Sequence, residues 1–276
     1  MTSAPAPRPP LDTARLVAAL DDHDGLRPEF LDETDSTNAV AADRAREGAP
    51  DGTLVVADHQ RAGRGRLDRG WSVPPRAGLS FSLVLRPDLP PHGWPWLPLL
   101  TGLTVTRALV DLGYDARVKW PNDVLLPERK VAGILVERVA TPTGPAAVLG
   151  IGLNVSIAEH ELPVPTATSL LLARPDLESD RADLLAGIVR ALRDRYDAWH
   201  GGDATATTSL AAEYAAACDT VGRAVRVSLP GGGDLTGRAV DVDASGMLVV
   251  ETAGGVERVG AGDVVHVRPA PDTEVE

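Results

Sequence analysis

Cysteine and long apolar runs are scarce in this chain of 276 residues. The single cysteine, Cys218, excludes a disulfide framework or a cysteine-based zinc site within one chain, and its Ala-rich surroundings favour inert packing. No stretch approaches the roughly 20 consecutive apolar residues that a membrane span needs. The N-terminus, MTSAPAPRPPLD, has no apolar signal core. These absences predict a soluble, cytoplasmic protein without a membrane partner.

Positive charge is also in short supply. The chain carries 27 basic and 39 acidic residues, and this net charge of −12 argues against a general nucleic-acid or membrane-surface binder. Only two of the basic residues are lysines, Lys119 and Lys130, which lie eleven positions apart. Because arginine is planar, forked and always charged, lysines kept here indicate a site that needs a compact ammonium group. Chance retention on a solvated surface is the alternative.

Periodicity and turn residues predict a disordered Pro/Ala-rich tail at 1–10, a main domain at 11–219, a small domain at 220–270 and a disordered tail at 271–276. The main domain mixes helical and strand-like patterns without strict β-α-β alternation. It is therefore predicted to be α+β, a mixed β-sheet with helices on one side. Five short strands with Gly-rich turns predict a small all-β barrel at 220–270. Its five arginines face six acids and it has no aromatic residue, which does not support nucleic-acid stacking.

Residues 61–76, RAGRGRLDRGWSVPPR, form an arginine loop. Five arginines face one acid, Asp68, a local charge of +4 inside an acidic protein. The loop fits neither familiar nucleotide pattern, because Trp71 replaces the phosphate-loop lysine and Asp68 replaces the third glycine of a dinucleotide turn. Its glycines let backbone amides approach a ligand, and arginine forks bind carboxylate or phosphate. Alone, the loop indicates an anion-binding site, with an incidental solvated hairpin as the alternative.

Four other segments place polar residues at the ends of helices or strands. They are DSTNAV at 35–40, KWPNDVLL at 119–126, RKVAGILVE at 129–137 and GIGLNV at 150–155. Taken alone, the first is an ordinary helix cap and the second an ordinary turn. Gly133 permits a close approach on one face of the third. None of the four is specific in isolation.

In this order and at these separations, the segments resemble the biotin protein ligase family. The family's motifs match as GRGRxxRxW at 63–71, KWPND at 119–123, KxAGILVE at 130–137, GIGxN at 150–154 and S-T-N at 36–38, with Gln60 just ahead of the loop. The resemblance implies a class II synthetase-like biotin/lipoate ligase fold with an SH3-like C-terminal barrel. Some members carry a winged helix-turn-helix domain before S-T-N. Only 35 residues precede Ser36 here, so the ligase-only class without DNA binding is expected.

The resemblance implies ATP-dependent biotinylation of a lysine on the biotin carboxyl carrier domain of acyl-CoA carboxylases, through biotinyl-5′-AMP and with Mg²⁺. Whether the protein forms a homodimer is left open by the sequence. Motif matching assigns biotin binding to Ser36, Thr37, Asn38, Gln60, Arg64, Gly65, Arg66 and Lys130. It assigns nucleotide or phosphate contacts to Arg64, Arg66, Lys119, Asn122 and Asn154. The implied catalytic residues are Lys130, Arg66 and Asp123; Asp123 either orients magnesium or receives the proton of the incoming carrier lysine.

Several alternatives remain open at the level of the sequence. Trp71 and Trp120 either wall the pocket or pack in the core, and the apolar segment 166–173 is a candidate adenine contact. A lipoate or octanoate ligase of the same fold is the nearest alternative function; the complete arginine-loop and KWPND motifs favour biotin. A biotin-responsive DNA-binding regulator would need a DNA-reading module. The intact motif residues Lys130, Arg66 and Asp123 argue against a catalytically silent binding protein.

Overall fold

The computed structural model describes residues 8–23, 25–177, 179–229, 231–260 and 262–266. Within these ranges the helices are α1 (Thr13–Leu20), α2 (Thr37–Arg46), α3 (Trp96–Asp111), α4 (Leu170–Ala173), α5 (Arg181–His200) and α6 (Ala204–Ala217). The first strands are β1 (Arg27–Thr34), β2 (Thr53–Gln60), β3 (Gly63–Arg64), β4 (Gly70–Trp71), β5 (Gly78–Leu85), β6 (Arg117–Lys119) and β7 (Asp123–Leu126). They are followed by β8 (Arg129–Val139), β9 (Ala146–Asn154), β10 (Ala224–Ser228), β11 (Asp234–Val242), β12 (Leu248–Thr252), β13 (Gly255–Val259) and β14 (Asp263–His266).

Aspartate side chains begin three of the helices. Asp12, Asp180 and Asp203 accept hydrogen bonds from backbone N–H groups in the first turns of α1, α5 and α6. Such caps satisfy donors that the helix itself leaves without partners. The start of α2 lacks a cap of this kind, and this difference matters for the site described below.

A seven-stranded mixed sheet forms the main domain, in the order β1-β2-β5-β9-β8-β7-β6. β1 and β2 pair in parallel, and the other neighbours are antiparallel. Large apolar residues of the central strands, such as Phe81 and Leu149, share the main core with residues of α1, α3 and α5. The predicted α+β fold, a mixed sheet with helices, is confirmed; the predicted placement of the helices on one side holds for α1, α3 and α5 but not for α2.

One helix, α2, lies on the opposite face of the sheet. Its Ala41 and Ala45 pack with Val55 and Val84 in a separate, smaller apolar cluster. Alanines let the helix approach the sheet closely, because no larger side chain separates the two backbones. The approach brings the N-terminus of α2 against the central strands.

Farther along this same face the central strands β5 and β9 carry small residues. The strand register places Ser82 beside Gly150 and Ser80 beside Gly152, and it places Gly152 beside Gly133 of β8. Residues directly opposite each other in a ladder, and those two positions apart along a strand, share one face. Glycines and serines therefore form the floor of a space that larger side chains would fill.

The C-terminal part of the chain forms a second, antiparallel sheet in the order β13-β12-β11-β10-β14. Two tryptophans of the main domain join it: Trp96 Nε1 donates to Ala244 O at 2.9 Å, and Trp120 Nε1 donates to Gly246 O at 3.1 Å. Valines of this sheet belong to the same apolar cluster as the main core. The small all-β unit is thus packed against the main domain.

The segment at residues 8–10, assigned to the disordered tail by the sequence, contacts the main domain. Arg8 forms an ion pair with Glu161, and Pro9 O accepts a hydrogen bond from Arg181 at 2.7 Å. These contacts do not support disorder at residues 8–10, and the amino-acid composition on which that prediction rested does not reveal such polar contacts. The rest of that tail and all of 271–276 lie outside the described residues. Among the described residues, no helix is long and apolar enough to cross a membrane.

Candidate active site

A main cavity lies on the small-residue face of the sheet, at the N-terminal end of α2, with the arginine loop along its side. It encloses about 760 Å³ of empty space, part of it open to solvent. The predicted site residues, apart from Lys119 and Asn154, all line it: Ser36, Thr37, Asn38, Gln60, Arg64, Gly65, Arg66, Asn122, Asp123 and Lys130. Motifs spread over about a hundred positions therefore meet at one place.

The N-terminus of α2 forms the polar end of the main cavity. Ser36 occupies the N-cap position, yet its side chain makes no capping hydrogen bond. Gln60 supplies the cap instead, because its Oε1 accepts from Thr37 N–H at 2.7 Å and from Thr37 Oγ1 at 3.0 Å. Ser36 is buried and lines the cavity. The helix-cap interpretation of this segment does not hold for Ser36.

Asn38 is held in one orientation at the floor of the cavity. Its Nδ2 donates to Leu135 O at 3.2 Å and to Glu137 Oε2 at 2.7 Å, and its Oδ1 accepts from Ser82 Oγ at 2.6 Å. Gly150 makes room for it, since a Cβ at that position would overlap the Asn38 side chain. Both amide hydrogens are used by protein acceptors, so the second lone pair of Oδ1 is the part of the Asn38 amide that these contacts leave for a further donor.

Ser82, in the middle of β5, is a site residue that the sequence analysis missed. It is fully buried, and besides Asn38 it contacts Thr37 Oγ1 at 2.8 Å. Ser82 and Thr37 take part in three hydroxyl contacts, namely Ser82 with Asn38, Ser82 with Thr37 and Thr37 with Gln60. The two hydroxyl groups have only one hydrogen each, so they can donate two of these hydrogen bonds at a time. The available signal was GLSFSLVL, in which serines alternate with large apolar residues and mark a polar face.

Lys130 and Asp123 form an ion pair inside the main cavity, with Nζ 2.6 Å from Oδ1. Lys130 Nζ also lies 5.5 Å from the centroid of the Trp71 ring, within the range of a cation–π contact. Gly133 leaves space for both, because a Cβ there would lie 3.2 Å from Lys130 Nζ and from Trp71 Cζ3. The ammonium group is thus fixed between a carboxylate and an aromatic face.

Asn154 supports this lysine from behind rather than lining the cavity. The backbone of Lys130 donates to Thr166 O at 2.7 Å and accepts from Thr168 N–H at 2.8 Å. Asn154 is 3 % exposed, and its Nδ2 donates to Thr168 O at 2.8 Å. The predicted phosphate contact of Asn154 is therefore not supported, because its side chain holds the segment that anchors Lys130. Residues 166–168 serve the same purpose, and an adenine contact there stays a prediction.

The two tryptophans left open by the sequence have different places. Trp71 lines the main cavity and packs over Gly152, where a Cβ would overlap the indole ring. Its Nε1 is buried and has no hydrogen-bond partner among the described residues. Trp120 is 2 % exposed and belongs to the core. Trp71 is a wall of the pocket, and Trp120 is a packing residue.

The arginine loop is a narrow hairpin. β3 and β4 pair through Gly63 with Trp71 and Arg64 with Gly70, and Gly65 N–H donates to Arg69 O at 2.6 Å. A 3₁₀ turn at Arg66–Asp68 forms its tip. There Leu67 has φ 55°, in the left-handed region that non-glycine residues rarely adopt, and is 66 % exposed. The tip of this hairpin is thus a tight turn that points an apolar side chain into solvent.

Two arginines connect this hairpin to the rest of the site. Arg64 forms an ion pair with Glu137, with 3.1 Å between NH2 and Oε2. Arg66 donates to Asn122 Oδ1 at 3.0 Å and to Gly262 O, beside the C-terminal sheet, at 3.2 Å. Asn122 is fixed in turn, since its Nδ2 donates to Ile134 O at 3.0 Å. The loop is therefore held over the cavity from both of its sides.

Lys119 lies in a second cavity, between the main sheet and the C-terminal sheet. That cavity adjoins the first, because Asp123 and Lys130 line both. His266 also lines it; burial, and secondarily the positive charge of Lys119, lower the pKa of His266 to about 4. The imidazole is thus neutral at pH 7, and cationic side chains such as Lys119 and Arg223 carry the positive charge of this cavity.

Within the part of the chain that the structure describes, no group of three or more His, Cys, Asp or Glu side chains could hold a metal ion. The main cavity offers the carboxylate of Asp123, already paired with Lys130. Mg²⁺ in nucleotide sites is bound by one or two carboxylates together with phosphates and water. The donor set therefore suits a magnesium ion that arrives with a nucleotide, not a metal caged by protein side chains.

Two segments of the chain match models of known families. Residues 30–154 match the Biotin/lipoate A/B protein ligase family, and residues 220–267 match the Biotin protein ligase C terminal domain. The fold and the site thus define a ligase of the biotin and lipoate class. The first segment contains S-T-N, the arginine loop, KWPND and GIGxN, and the second is the C-terminal sheet.

Individual relatives narrow this class. The chain is 42 % identical over 279 residues to the biotin–[acetyl-CoA-carboxylase] ligase of Mycobacterium tuberculosis, covering 97 % of this chain and 100 % of the relative. It is 35 % identical to the bifunctional ligase/repressor BirA of Bacillus subtilis, covering 87 % of this chain and 76 % of BirA. A biotin protein ligase from Aquifex aeolicus in complex with biotin and ATP matches with a TM-score of 0.74 at 28 % identity, and the match covers 88 % of this chain and 99 % of the Aquifex chain. The chain belongs to the biotin protein ligase family, which confirms the resemblance, and it is an enzyme.

Proposed function

We propose that this enzyme activates biotin with ATP to biotinyl-5′-adenylate and then transfers biotin to a lysine on the biotin carboxyl carrier domain of acyl-CoA carboxylases. The name of the mycobacterial relative and the biotin and ATP bound to the Aquifex ligase support it. The observation that carries the proposal is the Lys130–Asp123 pair, placed between a polar pocket and the arginine loop. The proposed steps follow from this arrangement.

The polar end of the main cavity fits the ring head of biotin. The fused ureido ring has N–H donors and a carbonyl acceptor, and the pocket offers Asn38 Oδ1 as acceptor with the hydroxyls of Ser36 and Thr37 beside it. The dithiolane ring of lipoate has neither kind of group. A site built for hydrogen bonds rejects an analogue that leaves its buried polar groups unpaired. This pocket therefore favours biotin over lipoate or octanoate.

In the first step a biotin carboxylate oxygen attacks the α-phosphorus of ATP, forms the mixed anhydride and releases pyrophosphate. Two anionic groups must come together, and at ~4 Å their repulsion is about 4 kcal/mol for an effective dielectric constant near 20. Lys130 offsets this repulsion from the floor, and Arg64 and Arg66 offset it from the loop. Because these groups are held before the reaction, little reorganisation opposes the transition state.

In the second step the amine of the carrier lysine attacks the carbonyl carbon of the anhydride, and AMP leaves. We assign to Asp123 the role of orienting the amine or receiving its proton, and we assign Mg²⁺ to the nucleotide substrate. We assign the phosphates that extend beyond the reacting centre to Lys119, and its position in the adjoining second cavity supports this role. The consumption of ATP and the choice of a carboxylase as acceptor support a cytoplasmic location.

The test is labelling of a purified carboxylase carrier domain by the purified protein with biotin and ATP. Label should appear only with ATP, and it should be absent from a carrier whose acceptor lysine is replaced by arginine. Calorimetry with biotin and with lipoate as separate ligands distinguishes the two substrate classes. A carrier that stays unlabelled while a known biotin ligase labels it would refute the proposal.

A further inference from the structure

Glu137 has no place in the mechanism described so far, yet its carboxylate reaches the rim of the site. It is the last residue of the RKVAGILVE segment and lies on β8. A single oxygen, Oε2, lies 2.7 Å from Asn38 Nδ2 and 3.1 Å from Arg64 NH2. One carboxylate oxygen thus joins the floor of the biotin pocket to the arginine loop.

The two contacts of Glu137 differ in rigidity. Asn38 is 4 % exposed and is fixed from the other side by Ser82 and by the close approach to Gly150. The Arg64 side chain is 48 % exposed and belongs to a hairpin of two-residue strands. Glu137 therefore connects a fixed residue of the pocket floor with a partly exposed residue of the loop.

The strength of this link suits a loop that has to open. The side chains of Glu137 and Arg64 are 31 % and 48 % exposed, so water screens their attraction and the pair is weak. Biotin must enter, and the carrier lysine must reach the adenylate, in every catalytic cycle. A buried, strong ion pair at this point would retard both events, whereas a weak pair biases the loop toward closure without trapping it.

We propose that Glu137 is a positioning residue that couples occupancy of the biotin pocket to closure of the arginine loop. A ligand N–H that donates to Oδ1 of the fixed Asn38 polarises the amide and strengthens the hydrogen bond that Nδ2 donates to Glu137. The carboxylate, held more firmly by Asn38, then positions Arg64, and the loop retains the activated intermediate. The inference rests on the proposed function, since it takes the ring head of biotin to be the group that meets Asn38.

The experiment measures how fast preformed biotinyl-adenylate leaves the enzyme, together with the KM for biotin and the kcat of adenylate formation. Glu137→Gln keeps the size of the side chain and an acceptor for Asn38 but removes the ion pair. Release should be about 1.4- to fivefold faster, the range that corresponds to the 0.2–1 kcal/mol of an exposed pair. KM should rise more than kcat falls, which a merely structural defect would not produce.

Arg64→Gln and the double variant complete the test. Because Glu137 acts through Arg64, the double variant should release the intermediate about as fast as Arg64→Gln alone. Multiplied effects in the double variant, or release from Glu137→Gln at the wild-type rate, would overturn the inference. Both side chains are partly exposed, so the variants are expected to fold, and thermal unfolding checks this.

The chain offers a matched control. Glu29 pairs with Arg44 at 2.7 Å, and the Glu29 side chain has the same 31 % exposure as that of Glu137. Glu29→Gln should release the intermediate at the wild-type rate. Failure of the wild-type protein to form biotinyl-adenylate at all would refute the proposed function and this inference with it. Normal adenylate formation with unaltered release from Glu137→Gln would refute the inference alone.

Discussion

Replacing Lys130 by alanine tests the electrostatic basis of the proposed first step. The substitution removes an ammonium group from the main cavity and at the same time leaves Asp123 without the partner that lies 2.6 Å away. The pair carries no net charge in the wild-type protein, and the variant retains a charge of −1 beside the two reacting anions. We therefore expect slower adenylate formation for two reasons, lost attraction and newly exposed repulsion.

The size of the effect follows from distance and exposure. A unit charge at ~4 Å changes the energy by about 4 kcal/mol at an effective dielectric constant near 20, which is roughly 1,000-fold in rate. The side chains of Lys130 and Asp123 are 34 % and 21 % exposed, so solvent screens part of this interaction. Halving the energy for screening gives about 2 kcal/mol, or roughly 30-fold. Lys130→Ala should thus slow the step between about 30- and 1,000-fold.

The assay is single-turnover release of pyrophosphate with biotin and ATP at saturating concentrations. Lys130→Ala combined with Asp123→Asn removes both charges, so it should be faster than Lys130→Ala alone. Lys119→Ala removes the same charge from the second cavity while the Lys130–Asp123 pair stays intact, and it should cause a smaller loss. If the double variant is as slow as Lys130→Ala, or if a folded Lys130→Ala reacts at the wild-type rate, the electrostatic reasoning is refuted.

Three further predictions concern the floor, the wall and the edge of the site. Ser82→Ala should weaken biotin binding by about 1–3 kcal/mol in calorimetry, because it leaves buried polar partners unsatisfied; unchanged affinity would contradict the role of this hydroxyl. Gly152→Ala should weaken biotin binding by displacing Trp71, whereas Gly187→Ala, on α5 with open space around its Cα, should leave binding unchanged; equal affinities would contradict the close-approach argument. The pKa of His266 is lowered to about 4 in the folded protein, so the unfolded chain binds a proton more readily, and this residue costs stability as the pH falls from about 6.5 to 4. In denaturant titrations, the free energy of unfolding of His266→Gln should fall by up to about 3 kcal/mol less than that of the wild-type protein over this pH range. Parallel pH profiles of the two proteins would refute this prediction.

Much of the site could be predicted because its motifs combine residue types with strict spacing. Glycines or turn residues occur in GRGRLDRGW, KWPND and GIGLN. The structure explains why they are needed, because it shows which side chains pack against them. Gly150 and Gly152 leave room for Asn38 and Trp71, which lie about a hundred positions earlier in the chain. The sequence shows that a side chain is missing there, but not which side chain occupies the space.

Other features had no comparable signal. β1 was not predicted, because RPEFLDET alternates poorly and carries charged residues, and its strand character comes from parallel pairing with β2. Asn154 has the residue type of a ligand contact, yet its partner is the carbonyl of Thr168. Glu137 stands in a recognised motif, but its link to Arg64 joins positions 73 apart in sequence and depends on how the loop folds back. Tertiary pairing decided these cases, and single-sequence patterns do not contain it.

The division between a fixed floor and a releasable loop accounts for how one site can serve two steps. Asn38 and Ser82 are buried in the sheet face, and the close packing of Asn38 against Gly150 leaves its side chain no room to shift. The loop is held in part by the Arg64–Glu137 pair, whose side chains are partly exposed, and such a pair is worth roughly 0.2–1 kcal/mol. We expect a loop held in this way to open for ligand exchange between steps and to cover the bound adenylate until the carrier lysine arrives.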